Sequence, residues 1–278
     1  MTSRTLQVSA PNSAFQVLAS LTTNRTKRHR SRTFLLEGVR PITLALANAW
    51  TFDAVIYEAD ARLSGWAAGV VAGAAAPIRY EMTRDLLAEL SGKDDASELL
   101  ALVRMRDDDL ERIPIRPDAL VAVMDRPSNP GNLGTLIRSC DALGADGLIV
   151  TGHGVDIYDP GTLTASRGSL FALPVVAVPS HTAVVEWIAG ARAALGRCQL
   201  VGADEGAATP IDRCDLRGPT VLALGNETHG LSRAYREACD VLAHIPMRGA
   251  ASSLNVSVAA SIVLYEAARQ RGAGARLR

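Results

Sequence analysis

Leu120-Val-Ala-Val-Met-Asp125-Arg-Pro-Ser-Asn129-Pro-Gly131-Asn132-Leu-Gly134-Thr-Leu-Ile-Arg138 opens on an apolar run and closes on a helical cadence. A short apolar run bounded by Pro, Asn and Gly reads as a buried strand, here 120–124, with a helix over about 133–143 behind it. In open α/β sheets, ligands bind beyond the carboxyl ends of strands. The loop between these two elements is therefore a candidate site. Gly131 and Gly134 permit a tight turn and close approach of the backbone. Their G-x-x-G spacing does not match the G-x-G-x-x-G fingerprint of dinucleotide folds, and no Walker lysine is present.

Downstream, strands are expected at 147–150, 175–178, 199–203, 220–224 and 241–245. Helices are expected at 160–166, 183–195, 232–238 and 254–271. This alternation predicts an α/β fold with a mostly parallel sheet covered on both faces. Upstream, helices at 12–30, 39–48, 62–74 and 83–90 interleave with strands at 32–36, 52–57, 78–80 and 99–105, forming a smaller α/β unit. Between them, residues 106–117 carry an acidic run, Pro114 and Pro117, which is linker chemistry. The expected organisation is a domain over 1–105, a linker over 106–117 and a second domain over 118–278.

Of the 278 residues, 48% are hydrophobic and 21% charged, a balance that supports ordered cores over disorder. Net charge is zero, but it is unevenly distributed. Residues 1–36 contain Arg4, Arg25, Lys27, Arg28, Arg30 and Arg32 and no acid, whereas 94–111 is acidic. The basic stretch is suited to neutralising phosphates. Cys140, Cys198, Cys214 and Cys239 form no Cys-x-x-Cys pair, so neither a disulfide framework nor a metal site is expected. With no apolar run of membrane-spanning length, the expected location is the cytoplasm.

Three further stretches resemble loops that bind ligands. Leu224-Gly225-Asn226-Glu227-Thr-His-Gly230-Leu-Ser232 follows an apolar strand. It combines turn glycines with an acid at a strand end, and Ser232 reads as a helix cap. Ile245-Pro-Met247-Arg-Gly249-Ala-Ala-Ser252-Ser253-Leu254-Asn255-Val-Ser257 places several small polar residues before a helix. Capping needs only one of them, and the surplus points to a pocket wall. Ala165-Ser-Arg167-Gly-Ser-Leu-Phe171 offers an arginine at a turn.

Taken together, Asn129…Asn132-x-Gly134-x-x-x-Arg138, Gly225-x-Glu227-x-x-Gly230 and Ile245-Pro-Met…Ser253-Leu-Asn255-Val-Ser257 resemble the three-motif signature of the SpoU (TrmH-type) branch of SPOUT methyltransferases over about residues 118–271. Arg28, Arg32, Phe34 and Glu37-Gly38 resemble the L30e/L7Ae-like RNA-recognition domain that often precedes it. The resemblance implies a deep carboxy-terminal trefoil knot, an exception to unknotted topology. It also implies an obligate homodimer with the site at the subunit interface and S-adenosylmethionine as the methyl donor. Gly225, Ile245 and Leu254 should hold the donor through backbone groups, beside Leu224, Asn226, Glu227, Met247 and Ser253. Arg138 should be the catalytic arginine, with Asn132, Glu227, Ser253 and Asn255 completing the site. Arg28, Arg30, Arg32 and Arg167 are the expected RNA contacts.

The implied reaction is 2'-O-methylation of a ribose in RNA, with no metal. The pattern is most similar to the 23S ribosomal-RNA enzymes of the avilamycin and thiostrepton resistance type. Alternatives are a housekeeping tRNA or rRNA 2'-O-methyltransferase, an RNA-binding protein without catalysis, and a nucleotide-dependent oxidoreductase. Arg138 either takes the hydroxyl proton, which requires nearby positive charge to depress its pKa, or orients the hydroxyl while another group accepts it.

Overall fold

The computed structural model describes residues 3–93 and 97–272. Asp94 and Asp95 of the acidic stretch, and residues 273–278, lie outside the described residues. The chain divides into two compact units. One comprises residues up to 106 together with Tyr158–Leu163. The other comprises Asp107–Ile157 together with residues from 164 onward.

The first unit runs β1 (Arg4–Val8), α1 (Ser13–Thr23), α2 (Arg25–Ser31), β2 (Thr33–Glu37), α3 (Val39–Ala47), β3 (Phe52–Glu58), α4 (Gly65–Gly73), β4 (Ile78–Met82), α5 (Arg84–Ser91) and β5 (Leu99–Arg104). Its sheet has the order β1-β4-β3-β5-β2. β1, β4 and β3 are parallel, and β5 is antiparallel to both its neighbours. Phe15 and Leu18 of α1 pack on Ile56, Met82, Leu86 and Leu100.

The helix expected over 12–30 is two helices. Asn24 has extended backbone, and its side chain accepts from Lys27 N, so it starts α2 and breaks α1. The same segment corrects the reading of Arg28 as an RNA contact. Its side chain is buried, its Nη1 donates to Leu21 O at 2.9 Å, and its Nη2 stands 3.6 Å from the Asp159 carboxylate. A guanidinium held in the interior this way is a structural charge with no reach to a phosphate. Tyr158, from the distant segment of this unit, stacks on Phe34 at 4.7 Å between ring centroids.

The second unit contains β6 (Leu120–Asp125), α6 (Pro130–Ala142), β7 (Gly147–Thr151), α7 (Pro160–Ser166, its first residues counted with the first unit), β8 (Val175–Val178), α8 (His181–Leu195), β9 (Gln199–Ala203), β10 (Thr209–Pro210), β11 (Thr220–Leu224), α9 (Arg233–Ala238), β12 (Val241–His244) and α10 (Val256–Gln270). The sheet order is β10-β12-β9-β11-β6-β7-β8, and every pairing is parallel. Every residue of β6, β7 and β11 is buried, as in a sheet covered on both faces. Parallel strands end on one edge, so the loops after β6, β9, β11 and β12 emerge side by side. Among the described residues, no helix is long and apolar enough to cross a membrane.

The segment expected as a linker is folded onto the second unit. Leu110–Arg112 forms a single 3-10 turn, and Ile113 is buried in the core with Val121 and Ile149. Asp108 Oδ1 accepts from Ala177 N at 2.9 Å, and Arg112 Nη1 donates to Val175 O at 3.2 Å. A Cβ on Gly147 would collide with Ile113, so the glycine makes room for that side chain. Ile113→Ala should therefore destabilise the protein by about 2–5 kcal/mol, the range for a truncated core aliphatic. Urea unfolding indistinguishable from wild type would return 107–117 to the status of a loose tether.

Candidate active site

α6 begins at Pro130 because Asn129 caps it, its Oδ1 accepting from Gly131 N at 2.8 Å and Asn132 N at 3.2 Å, and because proline is pre-organised for a first helical position. The loop leading to this cap is held from β11. Glu227 Oε2 accepts from Ser128 N at 3.0 Å and Ser128 Oγ at 2.7 Å. Its Oε1 accepts from Asn129 N at 3.1 Å and Asn132 Nδ2 at 3.2 Å. Burial pushes the Glu227 carboxyl up. The hydrogen bonds from Ser128 and Asn132 outweigh that, and the group sits below the ordinary glutamate range.

The network continues to the third motif. Asn255 Nδ2 donates to Asn132 Oδ1 at 3.1 Å, while Asn255 Oδ1 accepts from Ser257 N at 2.9 Å and Ser257 Oγ at 2.7 Å. Asn255 is thus the cap of α10, which starts at Val256 and not at Leu254 as expected. Ser253 and Leu254 consequently stay in the preceding loop.

Asp125, at the end of β6, anchors the second motif from the other side. It is buried and accepts from Arg126 Nε and Nη2 at 3.2 and 3.1 Å, from Thr151 Oγ1 at 3.2 Å and from Ser232 N at 3.1 Å. Asn226 and Gly230 exchange main-chain hydrogen bonds of 3.0 Å in each direction. The Asn226 side chain is spent on the same turn, donating to Arg126 O at 2.7 Å and accepting from Thr228 N at 2.9 Å and His229 N at 3.1 Å. A Cβ on Gly225 would fall on the main chain of Gly230 and Leu231.

These loops enclose a cavity of about 450 Å³. All the residues expected to hold the donor line it: Leu224, Gly225, Asn226, Glu227, Ile245, Met247, Ser253 and Leu254. Asn255 lines it as well. Asn132 joins through its bonds to Glu227 and Asn255. Arg138 lies on the exposed face of α6, outside the lining. Arg167 and Arg30 are exposed, Arg167 in left-handed conformation with φ 53°, and Arg32 donates to Arg106 O at 3.0 Å. The sequence reading did not single out Asp204, Glu205, Arg236 and His244, which also line the cavity. The signal available for the first two was their position directly after an apolar strand of the same parallel sheet.

The cavity fits a nucleoside methyl donor on three counts. Its volume lies in the range of small-molecule sites, roughly 300–1,000 Å³. Leu224, Ile245 and Leu254 offer apolar surface for a flat base, and Asp204, Glu205 and Ser253 offer polar groups for hydroxyls and charge. Among the described residues, the main chain over 246–254 makes no hydrogen bond to other main-chain groups, so the amides and carbonyls of Met247, Ser253 and Leu254, which line the cavity, have no main-chain partner. Among the described residues, no cluster of His, Cys, Asp or Glu could hold a metal ion.

A parallel sheet with its site at the strand carboxyl ends, preceded by a small α/β unit, matches two known domain families. Residues 119–265 match the SpoU rRNA Methylase family, and residues 12–101 match the SpoU L30e-like domain. The chain belongs to the SpoU methylase family. It is 47% identical, over 96% of its length and 93% of the relative's, to the 23S rRNA (uridine(2479)-2'-O)-methyltransferase of Streptomyces viridochromogenes. The crystal structure of the SpoU methyltransferase AviRb from the same organism, in complex with AdoMet, superposes with a TM-score of 0.90 at 47% identity, covering 95% of this chain and 100% of that one. An AdoMet-bound rRNA methyltransferase from Sinorhizobium meliloti superposes with a TM-score of 0.84 at 28% identity, covering 95% and 98%.

Glu227→Gln keeps the shape but leaves one acceptor oxygen where two are used, and turns an NH2 toward main-chain donors. The variant should lose about 1–3 kcal/mol of stability, together with donor affinity. The folded pKa of Glu227 is depressed, so its contribution is complete above the unfolded glutamate value of about 4.3 and is lost as pH falls through the lower folded value. Stability measured from pH 7 down to 3 should show this loss in wild type and a flatter profile in the variant. Coincident profiles would remove Glu227 from the anchoring role.

Proposed function

We propose that this chain transfers a methyl group from S-adenosylmethionine to a ribose 2'-hydroxyl of 23S ribosomal RNA. The single observation carrying this is the Glu227–Asn132–Asn255 network, which joins all three motifs around a cavity that fits the donor. The substrate class follows from the relative of matching length, itself named as a 23S rRNA 2'-O-methyltransferase. The activity belongs in the cytoplasm, where that RNA is found, and the resistance phenotype implied by the motifs belongs with it.

When bound, the donor supplies an electrophilic methyl group. The chain's own residues supply position, which is the main source of rate in such a transfer. Asn255, fixed as the cap of α10, and Ser253, in the loop just before it, align the sugar. Arg138 orients the hydroxyl and its neighbouring phosphate, and Arg30, Arg32 and Arg167 extend the RNA contact. In the transfer the 2'-oxygen would bond to the methyl carbon as the carbon–sulfur bond breaks, its electron pair staying on sulfur in the departing thioether S-adenosylhomocysteine, while the hydroxyl proton leaves to a base or to water. The trefoil knot is part of this proposal. It rests on the match of residues 119–265 to the SpoU family and on the three motifs that carry the resemblance.

The enzyme acts as a homodimer in this reading. Val258, Ile262 and Tyr265 of α10 are exposed at helical spacing and share a shallow apolar groove with Thr135 of α6. Arg138 is one turn from Thr135, so it stands at the rim of this face, placed to serve a site shared with the partner.

Arg138→Ala should retain donor binding and thermal stability but lose methyl transfer by at least about a hundredfold, the lower end for a positioned proton-handling group. Mapping ribose methylation on 23S rRNA in cells with and without the gene tests both target and activity. Near-normal methylation by the variant would exclude Arg138. Ile262→Asp should convert a dimer to a monomer in light scattering, and an unchanged mass would move the interface elsewhere.

A further inference from the structure

The cavity has a second polar wall that none of the three motifs includes. β9 ends at Ala203, and the chain turns immediately. Asp204 N donates to Ala243 O at 2.9 Å, Asp204 Oδ1 accepts from Gly206 N at 2.9 Å, and Asp204 O accepts from Ala207 N at 3.1 Å. Together these bonds fix the backbone on both sides of Glu205. Asp204 is itself clamped: its side chain is 3% exposed, and its Oδ2 lies 2.8 Å from Arg236 Nη1. Arg236 Nε in turn donates to Leu231 O at 3.3 Å, which ties this turn to the loop bearing Glu227.

The Asp204 carboxylate is therefore occupied by Arg236 and Gly206. The Glu205 carboxylate is exposed at the cavity mouth, with no ion pair or hydrogen bond to its side chain among the described residues. β9 neighbours β11 on the side opposite β6, so Glu205 lines the cavity from the side of β11 away from the loop that bears Asn132. An ionised carboxylate only accepts, with two oxygens, and charged acceptors make the stronger bonds. Two adjacent ribose hydroxyls are the matching pair of donors. An acid at the carboxyl end of a parallel strand takes ribose hydroxyls in other nucleotide-binding sheets.

We propose that Glu205 is a donor-binding residue whose carboxylate accepts the two ribose hydroxyls of the nucleoside methyl donor, with Asp204 and Arg236 as positioning residues. The inference rests on the reading that this cavity holds S-adenosylmethionine.

Calorimetric titration of the full chain with S-adenosylhomocysteine and with 5'-methylthioadenosine tests it. The second probe keeps the hydroxyl pair but lacks the amino-acid tail. Glu205→Ala should weaken both probes about tenfold without changing the melting temperature, because the side chain is exposed. Equal affinities in wild type and variant would overturn the role of Glu205. A loss confined to S-adenosylhomocysteine would assign the carboxylate to the amino-acid end and overturn the hydroxyl assignment. Wild-type protein binding neither probe would instead overturn the cavity reading itself. Arg236→Gln should weaken both probes and add nothing to the loss in a double variant with Glu205→Ala. Additive losses would show that Arg236 acts independently of Glu205.

Discussion

One carboxylate holds the site together. Glu227 projects from the end of β11 into the loop that follows β6, and its two oxygens absorb the donors of Ser128, Asn129 and Asn132. β11 and β6 are parallel neighbours, so their loops leave the sheet side by side and a short side chain spans the gap. Asn132 passes the constraint to Asn255, which caps α10. Segments about a hundred residues apart in sequence are thereby held by one acid and two amides. Partial burial raises the cost of keeping Glu227 charged, and the same burial strengthens the bonds that keep it so.

Side chains and main chain divide the work at this site. Glu227, Asp125 and Asn226 face other loops and shape them. The rest of the cavity wall includes Met247, Ser253 and Leu254 of the loop before α10 and apolar side chains such as Leu224 and Ile245. This division explains why the motifs are rich in Gly, Asn and Ser. Those residues let the backbone turn and cap around the cavity.

The strands of the large sheet were evident in the sequence because complete burial makes them apolar runs, as in 120–124 and 220–224. The motif residues likewise meet in one cavity, since parallel strands bring their ends together whatever their order. β1 escaped because only Val8 of its five residues is buried, and its partner β4 lies some seventy residues away. β10 is two residues long and carries no periodicity. Arg28 stands in a basic stretch and in the L30e-like pattern, and neither reveals that its side chain turns inward to Leu21 O and Asp159. Residues 106–117 were read as a linker from their acids and prolines, a composition that masked the single buried Ile113. Glu205 has one faint signature, its place directly after the apolar strand 199–203. Its relation to the cavity arises only when β9 is seen beside β11.

The first unit is not continuous along the chain. Tyr158, stacked on Phe34, and Asp159, beside the interior guanidinium of Arg28, reach it only after much of the second unit has been specified. On the ribosome, residues up to 106 emerge with part of their interior missing, and the completing segment follows about fifty residues later. At roughly 5–20 residues per second that is an interval of about 3–10 s. During it the nascent first unit lacks the ring that stacks on Phe34, so its aromatic packing is completed only once Tyr158 has been synthesised.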